Sequence, residues 1–327
     1  MQNDKKPIPM REAYGNALVK LGEDNEDVVV FEADVGGSTR SILFGNRFPE
    51  RYFNVGIAEL NMTAMAAGMS TQGFMPWVNT FAVFLATRGS DPIQSLICYD
   101  NMNVKLVGAY CGMSDSFDGA SHNSITDISF MRSLPNMTVI SPCDPVETEK
   151  AVFAAAEYRG PVYIRLSRSE VPYIFNDDYK FEIGKGKILK DGSDVTIVAT
   201  GYMVHKALEA AQNLEKQGIS ASVLDIHTIK PLDKEAVLKA IQDTRRIITV
   251  EDHNIIGGLG SAVAEVMAEA GKGCAFTRLG IPDKFAPIGL HEDIMSILGI
   301  DSNGIINAVR EAMNKDFEED DNWEDDV

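Results

Sequence analysis

The chain has 327 residues, of which 45% are hydrophobic and 24% are charged, a composition typical of a soluble globular protein with room for two domains. Its net charge of -18 at pH 7 argues against binding to nucleic acid or an anionic membrane, because such binders use basic patches. No apolar stretch approaches the length of a membrane span and the first residues lack an apolar signal core, so we expect neither feature.

Short apolar runs alternate with helical patterns along the first half of the chain. We predict buried strands at residues 28–33, 51–55, 74–78, 103–110, 137–141 and 161–166. We predict helices at residues 11–22, 58–70, 81–90 and 145–158. Such alternation is typical of a parallel sheet covered by helices on both faces. We therefore predict a doubly wound α/β domain over residues 1–175.

The pattern breaks and then restarts in the second half. The polar, glycine-bearing stretch at 171–194 predicts a short hairpin and a linker at 176–191. We then predict strands at 194–200, 220–226, 245–251 and 275–280, and helices at 203–218, after Pro231 and at 260–270. This indicates a second, smaller α/β domain over residues 192–315, in which no residue pattern points to chemistry. Residues 316–327 are rich in Asp and Glu, which predicts a disordered acidic tail.

Several familiar motifs are absent or incomplete. The GGLGSAVAEV segment at 257–266 follows a strand and opens a helix, but Val263 stands where the dinucleotide fingerprint needs a small residue. We interpret it as a tight turn. The four cysteines show no CxxC pair or zinc-ligand spacing. We therefore expect no metal ligands in this chain, and a reduced, cytoplasmic protein.

A constellation at residues 51–88 carries the strongest chemical signal. Glu59 stands directly after a predicted strand, at the start of a helix rich in small apolar residues. Phe81 and Phe84 follow the next strand and are three apart, the spacing of one helical face. Taken singly, Glu59 is explained by the helix dipole and the aromatic pair by core packing. Their order along the chain is what favours a site.

These segments resemble the transketolase family of thiamine-diphosphate enzymes. VGIAE around Glu59, the later NTFAVF, and SFDGASH with MRSLPNMTVISPCD match that family in order and spacing. The resemblance covers the family's pyrimidine-binding and C-terminal domains, but not its diphosphate-binding domain with GDG…N. It implies the C-terminal subunit of a split transketolase, which moves a two-carbon ketol unit from a ketose (phosphate) to an aldose (phosphate). It also implies an α2β2 assembly, active only with an N-terminal subunit that carries GDG…N and holds Mg²⁺.

The resemblance assigns cofactor roles to several residues. Glu59, among Ile57, Leu60 and Met62, is expected to bond the pyrimidine ring nitrogen of thiamine diphosphate. A dry apolar site would favour the proton-sharing form of this acid, and hence the imino tautomer that activates the cofactor. Phe81 and Phe84 would wall the aminopyrimidine by stacking. Asp34 is expected near the thiazolium ring, and Ile57 beside the pyrimidine.

It assigns substrate roles as well. The residues expected to hold the sugar phosphate are Arg11, Ser38, Arg168 and Tyr110, and the guanidinium forks of the two arginines suit phosphate oxygens. Asp118 and His122 would read the substrate's hydroxyls and carbonyl. Three positions depart from the family pattern: Tyr110 replaces a phosphate-binding histidine, Phe117 an acidic residue and Thr87 a third aromatic. Because Tyr110 cannot be cationic, the sequence leaves open whether the acceptor is phosphorylated. It also does not identify the donor and acceptor sugars or the pathway.

Other functions remain as alternatives. The beta subunit of a 2-oxo-acid dehydrogenase decarboxylase has a similar size and the same two domains, but its PIAE-type run is missing here. A non-catalytic relative would keep the fold as a scaffold or regulator. Deoxyxylulose-phosphate synthase shares VGIAE but is a single full-length chain, and the length of this chain argues against it.

Overall fold

The computed structural model describes residues 6–314 and shows two successive α/β domains. Its strands are β1 (Ile8–Pro9), β2 (Val28–Glu32), β3 (Tyr52–Asn54), β4 (Met75–Phe81), β5 (Lys105–Ala109), β6 (Thr138–Ile140), β7 (Val162–Leu166), β8 (Glu170–Val171), β9 (Lys187–Lys190), β10 (Val195–Ala199), β11 (Ala221–Asp225), β12 (Thr228–Lys230), β13 (Arg246–Asn254) and β14 (Ala275–Ile281). The acidic tail predicted at 316–327 lies outside the described residues.

Helices lie between most of these strands. They are α1 (Met10–Asp24), α2 (Gly36–Thr39), α3 (Ile42–Arg47), α4 (Glu59–Ser70), α5 (Ala82–Arg88), α6 (Ser90–Pro92), α7 (Asp127–Ser133), α8 (Pro145–Glu157), α9 (Met203–Glu215), α10 (Lys234–Thr244), α11 (Leu259–Glu269), α12 (His291–Ile297) and α13 (Ser302–Met313). A 3-10 turn spans Pro49–Arg51 and a π-helical segment spans Ile93–Cys98. Within residues 6–314, no helix has both the length and the apolar character needed to cross a bilayer.

A seven-stranded sheet organises the first domain, in the order β12-β6-β7-β5-β4-β2-β3. β12 runs antiparallel to β6, whereas the other neighbours are parallel. Successive side chains of a strand point to opposite faces. Val30 and Trp77 accordingly pack in the core that includes α1 and α8, whereas Phe31 and Val78 pack in the core that includes α4 and α5. This double cover confirms the predicted doubly wound fold.

The second domain repeats the plan around a five-stranded sheet, in the order β14-β13-β10-β11-β9. β9 is antiparallel to β11 and the other pairs are parallel. Ile197 and Val223 face the core that includes α9 and α13, whereas Val198 and Leu224 face α10 and α11. The predicted second, smaller α/β domain is therefore present.

The connection between the domains differs from expectation. The hairpin expected within 171–194 does not form, because its two strands pair elsewhere. β8 pairs with β1 near the start of the described chain, and β9, which we expected inside the linker, pairs with β11 of the second sheet. β12 departs further, since it leaves the second domain and forms the edge of the first sheet beside β6.

A buried acidic cluster joins the two domains near these connections. Cys143 lies just before α8 and Glu147 lies in its first turn. Both meet Asp225 at the end of β11, and one ligand-type atom of each residue lies within 4.8 Å of the others. The Cys143 amide donates to Glu147 at 2.8 Å, and Tyr179 donates to the same carboxyl at 3.0 Å. Burial, together with the neighbouring acids, raises the pKa of Asp225 and raises that of Glu147 to about 7. We therefore expect the two carboxyls to share a proton.

This shared proton predicts a stability that falls with rising pH. A raised pKa in the folded state means that the contribution of Glu147 is complete below its ordinary pKa of 4.5 and is lost as the pH rises through about 7. We expect the free energy of unfolding to fall by about 2–3 kcal/mol between pH 5 and pH 8 from this cluster. Urea denaturation of Asp225→Asn should show a flatter pH dependence, because an amide donates permanently. An equal slope in both proteins would contradict the shared proton.

The glycine turn before α11 has a structural role. The Glu251 carboxylate accepts hydrogen bonds from the amides of Leu259 at 2.7 Å and Gly260 at 2.8 Å. These are the amides that a bound phosphate would need at a helix N-terminus. An internal carboxylate therefore occupies them, in line with our interpretation of 257–266 as a tight turn.

Candidate active site

The carboxyl ends of the parallel strands in the first sheet carry the central residues of the predicted site. Asp34 follows β2, Glu59 begins the helix after β3, and Tyr110 follows β5. Phe81 is the last residue of β4. Open α/β sheets bind ligands at this edge, because the strand ends and the loops behind them meet there. The topology thus brings together residues from Asp34 to Tyr110, which are 76 positions apart in the sequence.

Glu59 is buried and paired with a cation. It is the first residue of α4, only 4% of its side chain is exposed, and its Oε1 accepts a hydrogen bond from Arg88 Nη1 at 3.1 Å. Two of its expected apolar neighbours are open to solvent in the chain by itself, because Ile57 is 73% exposed and Leu60 54% exposed. Of the expected neighbours, Met62 is buried. Glu59 therefore lies at the rim of an open apolar surface.

The aromatic wall forms, but not by the predicted route. Phe81 ends β4 and precedes α5, so Phe81 and Phe84 do not share a helical face as expected. Their rings still stack, with centres 5.7 Å apart, because the chain turns from strand into helix between them. Phe81 also stacks on Tyr110 at 4.5 Å, and His122 meets Phe84 edge-on at 5.3 Å. These rings form one continuous aromatic layer.

Two arginines flank the Tyr110 ring. The guanidinium carbons of Arg11 and Arg168 lie 5.1 Å and 5.0 Å from its centre. Arg11 Nη1 donates to the Tyr110 hydroxyl at 2.7 Å and to the backbone carbonyl of Ser38 at 2.8 Å. Burial, together with nearby Arg40 and Arg168, lowers the pKa of Arg11 from its ordinary value. The four residues expected to hold a phosphate therefore lie together, around a phenol instead of an imidazole.

The segment after Tyr110 carries the two residues expected to read the substrate. Asp118 is exposed and His122 is half-buried, with Nδ1 3.1 Å from the Ser121 hydroxyl. Sequence reasoning missed Asp115 in this segment, which is buried and forms an ion pair with Arg168. Burial and then the proximity of Asp118 raise the pKa of Asp115 from its ordinary value. Asp115 therefore ties Arg168 to the segment that holds Asp118.

A second missed residue, Glu32, supports the Asp34 loop. Its buried carboxyl accepts hydrogen bonds from the Val35 amide at 3.0 Å and the Thr39 hydroxyl at 2.8 Å. Burial raises the pKa of Glu32 to about 7, although these donors oppose the rise. Asp34 itself is exposed, accepts from Asn54 Nδ2 at 2.8 Å and has φ of 64°. Tyr110 also has a positive φ of 57°, so backbone strain coincides with the predicted site at two positions.

A third missed residue comes from the second domain. The Asp252 carboxylate accepts a hydrogen bond from the Met113 amide at 3.0 Å. The intervening Gly112 has φ of 58°, and a Cβ there would lie 1.9 Å from the Asp252 carboxylate. Only glycine therefore lets the segment after Tyr110 approach Asp252. The acidic run around Asp252 contains no recognisable motif, so no sequence signal pointed to this anchor.

Comparison with known families divides the chain into two successive halves, which correspond to the two sheets except that β12 of the second half joins the first sheet. A family described as "Transketolase, pyrimidine binding domain" matches residues 6–173. A second, described as "Transketolase, C-terminal domain", matches residues 184–305. The first match contains every predicted site residue.

Individual relatives extend this similarity over nearly the whole chain. A putative transketolase C-terminal section of Methanocaldococcus jannaschii is 44% identical, with 94% of this chain and 97% of the relative covered. A 6-deoxy-6-sulfo-D-fructose transketolase subunit of Clostridium sp. is 37% identical, with 93% and 94% covered. The solved structure "Split gene transketolase, inactive beta4 tetramer" superposes with a TM-score of 0.86 at 45% identity, covering 94% of this chain and 99% of that one.

Proposed function

This chain belongs to the transketolase family, and we propose that it acts as the C-terminal subunit of a split transketolase that depends on thiamine diphosphate. The reaction is transfer of a two-carbon ketol unit from a ketose to an aldose. The observation that carries the proposal is that a buried acid, Glu59, and the stacked rings of Phe81 and Phe84 lie at the same ligand-binding edge of the sheet. An acid and an aromatic wall are what an aminopyrimidine requires.

The residues present fit the pyrimidine half of the cofactor. Glu59 offers a carboxyl to a ring nitrogen, and the half-buried Phe84 offers a face for stacking. When bound, thiamine diphosphate supplies the carbanion and the electron sink for breaking and making the carbon–carbon bond. Glu59 would hold or share the proton at the ring nitrogen, and Asp34 would lie toward the thiazolium. Mg²⁺ and the diphosphate are assigned to the partner, because no GDG…N occurs in this chain.

The exposed rim of the site supports a partner subunit. Ile57, Leu60 and Met65 are large apolar side chains, all more than 40% exposed, on the same segment as Glu59. Apolar groups clustered beside a buried acid mark a surface that another protein covers. We propose that an N-terminal subunit covers it, excludes water from Glu59 and completes an α2β2 assembly in the cytoplasm.

Ketoses that carry an anionic group at the end remote from the reacting carbonyl suit the arginine pair. The guanidinium carbons of Arg11 and Arg168 lie 5.1 Å and 5.0 Å from the centre of the Tyr110 ring. Both guanidinium groups can donate N–H hydrogen bonds to an oxyanion. A phosphate and a sulfonate are both such oxyanions, and one relative is named for a sulfonated fructose. Ser38 would add a hydroxyl, while Asp118 and His122 would contact the sugar hydroxyls and carbonyl.

Reconstitution tests the proposal. The purified chain is mixed with a candidate N-terminal subunit, thiamine diphosphate and Mg²⁺, and ketol transfer between sugar phosphates is measured. Activity is expected from the mixture and not from either subunit by itself. Full activity of the lone chain would contradict the split-subunit arrangement. Release of carbon dioxide from a 2-oxo acid by the mixture would instead indicate the 2-oxo-acid dehydrogenase alternative.

Substitutions of Tyr110 should change the KM for a phosphorylated ketose in opposite directions. Tyr110→His supplies a group that can become cationic beside the oxyanion, so we expect the KM to fall by about three- to tenfold. Tyr110→Phe removes the hydroxyl that bonds Arg11 at 2.7 Å, so a rise of similar size is expected. Steady-state kinetics with phosphorylated and unphosphorylated ketoses separate the two effects. Equal changes for both ketoses would contradict a phosphate-binding role.

A further inference from the structure

Arg88 lies between Glu59 and Phe84 and contacts both. It is the last residue of α5, and its Nη1 lies 3.1 Å from Glu59 Oε1. The central carbon of the same guanidinium lies over the Phe84 ring, 3.9 Å from its centre. About half of the Arg88 side chain, 49%, is exposed, whereas Glu59 is 4% exposed. The long side chain of Arg88 thus contacts both Glu59 and Phe84, the two residues assigned to the aminopyrimidine.

The guanidinium of Arg88 and the aminopyrimidine of the cofactor have similar binding chemistry. A guanidinium is flat, carries N–H donors along its edge and stacks on aromatic faces. An aminopyrimidine is also flat, offers nitrogen functions along its edge to a carboxyl, and stacks in the same way. The two groups therefore compete for the same acid and the same ring. Arg88 also solves an electrostatic problem, because a buried carboxylate without a partner is costly.

We propose that Arg88 is an internal stand-in for the cofactor's aminopyrimidine, holding Glu59 and covering Phe84 until the cofactor displaces it. The proposal rests on the proposed function, since it concerns the same site. Displacement is inexpensive on the Arg88 side, because its half-exposed guanidinium can return to water. It lowers the apparent cofactor affinity, because only the fraction of molecules with Arg88 released can bind.

Arg88→Gln tests the displacement in the reconstituted complex. The dissociation constant of thiamine diphosphate, measured by calorimetry with Mg²⁺ present, should fall by about three- to tenfold, because the competing guanidinium is gone. The thermal midpoint of the lone chain should fall as well, because Glu59 loses its cationic partner. Arg310→Gln, which alters an exposed arginine that contacts Gln217, is the matched control and should change neither value.

A second variant separates charge from shape. Arg88→Lys keeps a cation for Glu59 but lacks the flat guanidinium fork. The thermal unfolding midpoint of the lone chain should therefore be unchanged. The reconstituted complex that carries this variant should still bind thiamine diphosphate more tightly than the unaltered complex does. A dissociation constant that rises or stays the same in both variants would overturn the proposal, because Arg88 would then hold the cofactor or ignore it. Failure of the unaltered complex to bind thiamine diphosphate would instead refute the proposed function, and the displacement with it.

Discussion

Replacing Glu59 by glutamine should lower ketol transfer by the reconstituted complex by about 10²- to 10⁴-fold, the range of a lost acid–base contribution. The amide has nearly the same shape as the carboxyl but cannot share a proton with a ring nitrogen. Assembly with the N-terminal subunit should persist, because Glu59 is buried beside the apolar rim and contributes little of the exposed surface. Steady-state assays and analytical ultracentrifugation of Glu59→Gln measure the two properties separately.

Glu149→Gln is the matched control for this substitution. Glu149 lies on α8 with 38% of its side chain exposed and pairs with Lys20 at 2.7 Å. The same loss of charge there should leave the rate within about twofold, because a surface ion pair contributes little. Full activity of Glu59→Gln would remove the basis for the catalytic assignment and would favour a scaffold or regulatory role for the chain.

Asp127→Asn should destabilise the lone chain by about 3–5 kcal/mol, the cost of leaving a buried cation without its counter-ion. Asp127 accepts hydrogen bonds from Arg165 Nε at 2.8 Å and Tyr163 at 2.7 Å, and the side chains of both ion-pair partners are at most 1% exposed. Arg165 also donates to the Asp252 backbone carbonyl, so this pair holds the second domain against the predicted site. Urea denaturation at neutral pH measures the change.

The exposed pair Lys239–Asp243 provides the comparison. Its atoms approach to 2.7 Å on α10, with side chains 73% and 48% exposed. Asp243→Asn should cost no more than about 0.5 kcal/mol, because water already solvates both charges. Similar losses in the two variants would show that Arg165 does not depend on Asp127 for its charge balance.

Strands that belong to the regular alternation of strand and helix were predictable from the sequence. Short strands that join a sheet from outside this alternation were not. Each of the six apolar runs predicted as strands in the first half overlaps a strand of the first sheet. β12 escaped prediction because it has three residues and pairs with a strand about 90 positions earlier. β9 escaped because its side chains are partly exposed on an edge strand, which gives it no apolar pattern. The family resemblance, by contrast, is confirmed by the matches to both domains.

The grouping of the site residues was predictable for a similar reason. Phe81 ends a strand of the first sheet, and Glu59, Phe84 and Tyr110 each follow one of its parallel strands, whose ends converge. The environment of Glu59 was not predictable, because its partner Arg88 lies 29 residues away and an arginine at a helix end is ordinarily solvated. The 73% exposure of Ile57 was not predictable either, because composition and periodicity favour burial of an apolar residue.

β12 ties together the two halves of the chain that the families match, because a strand from the second half completes the sheet of the first. If the chain were cut between residues 173 and 184, the first half would lose β12, the antiparallel neighbour of β6. The edge of β6 would then carry unpaired backbone amides and carbonyls. Bare edges of this kind recruit other chains and aggregate. Chimeras that swap the C-terminal half between relatives would therefore need to carry a compatible version of Thr228–Lys230, since those three residues finish the recipient's sheet.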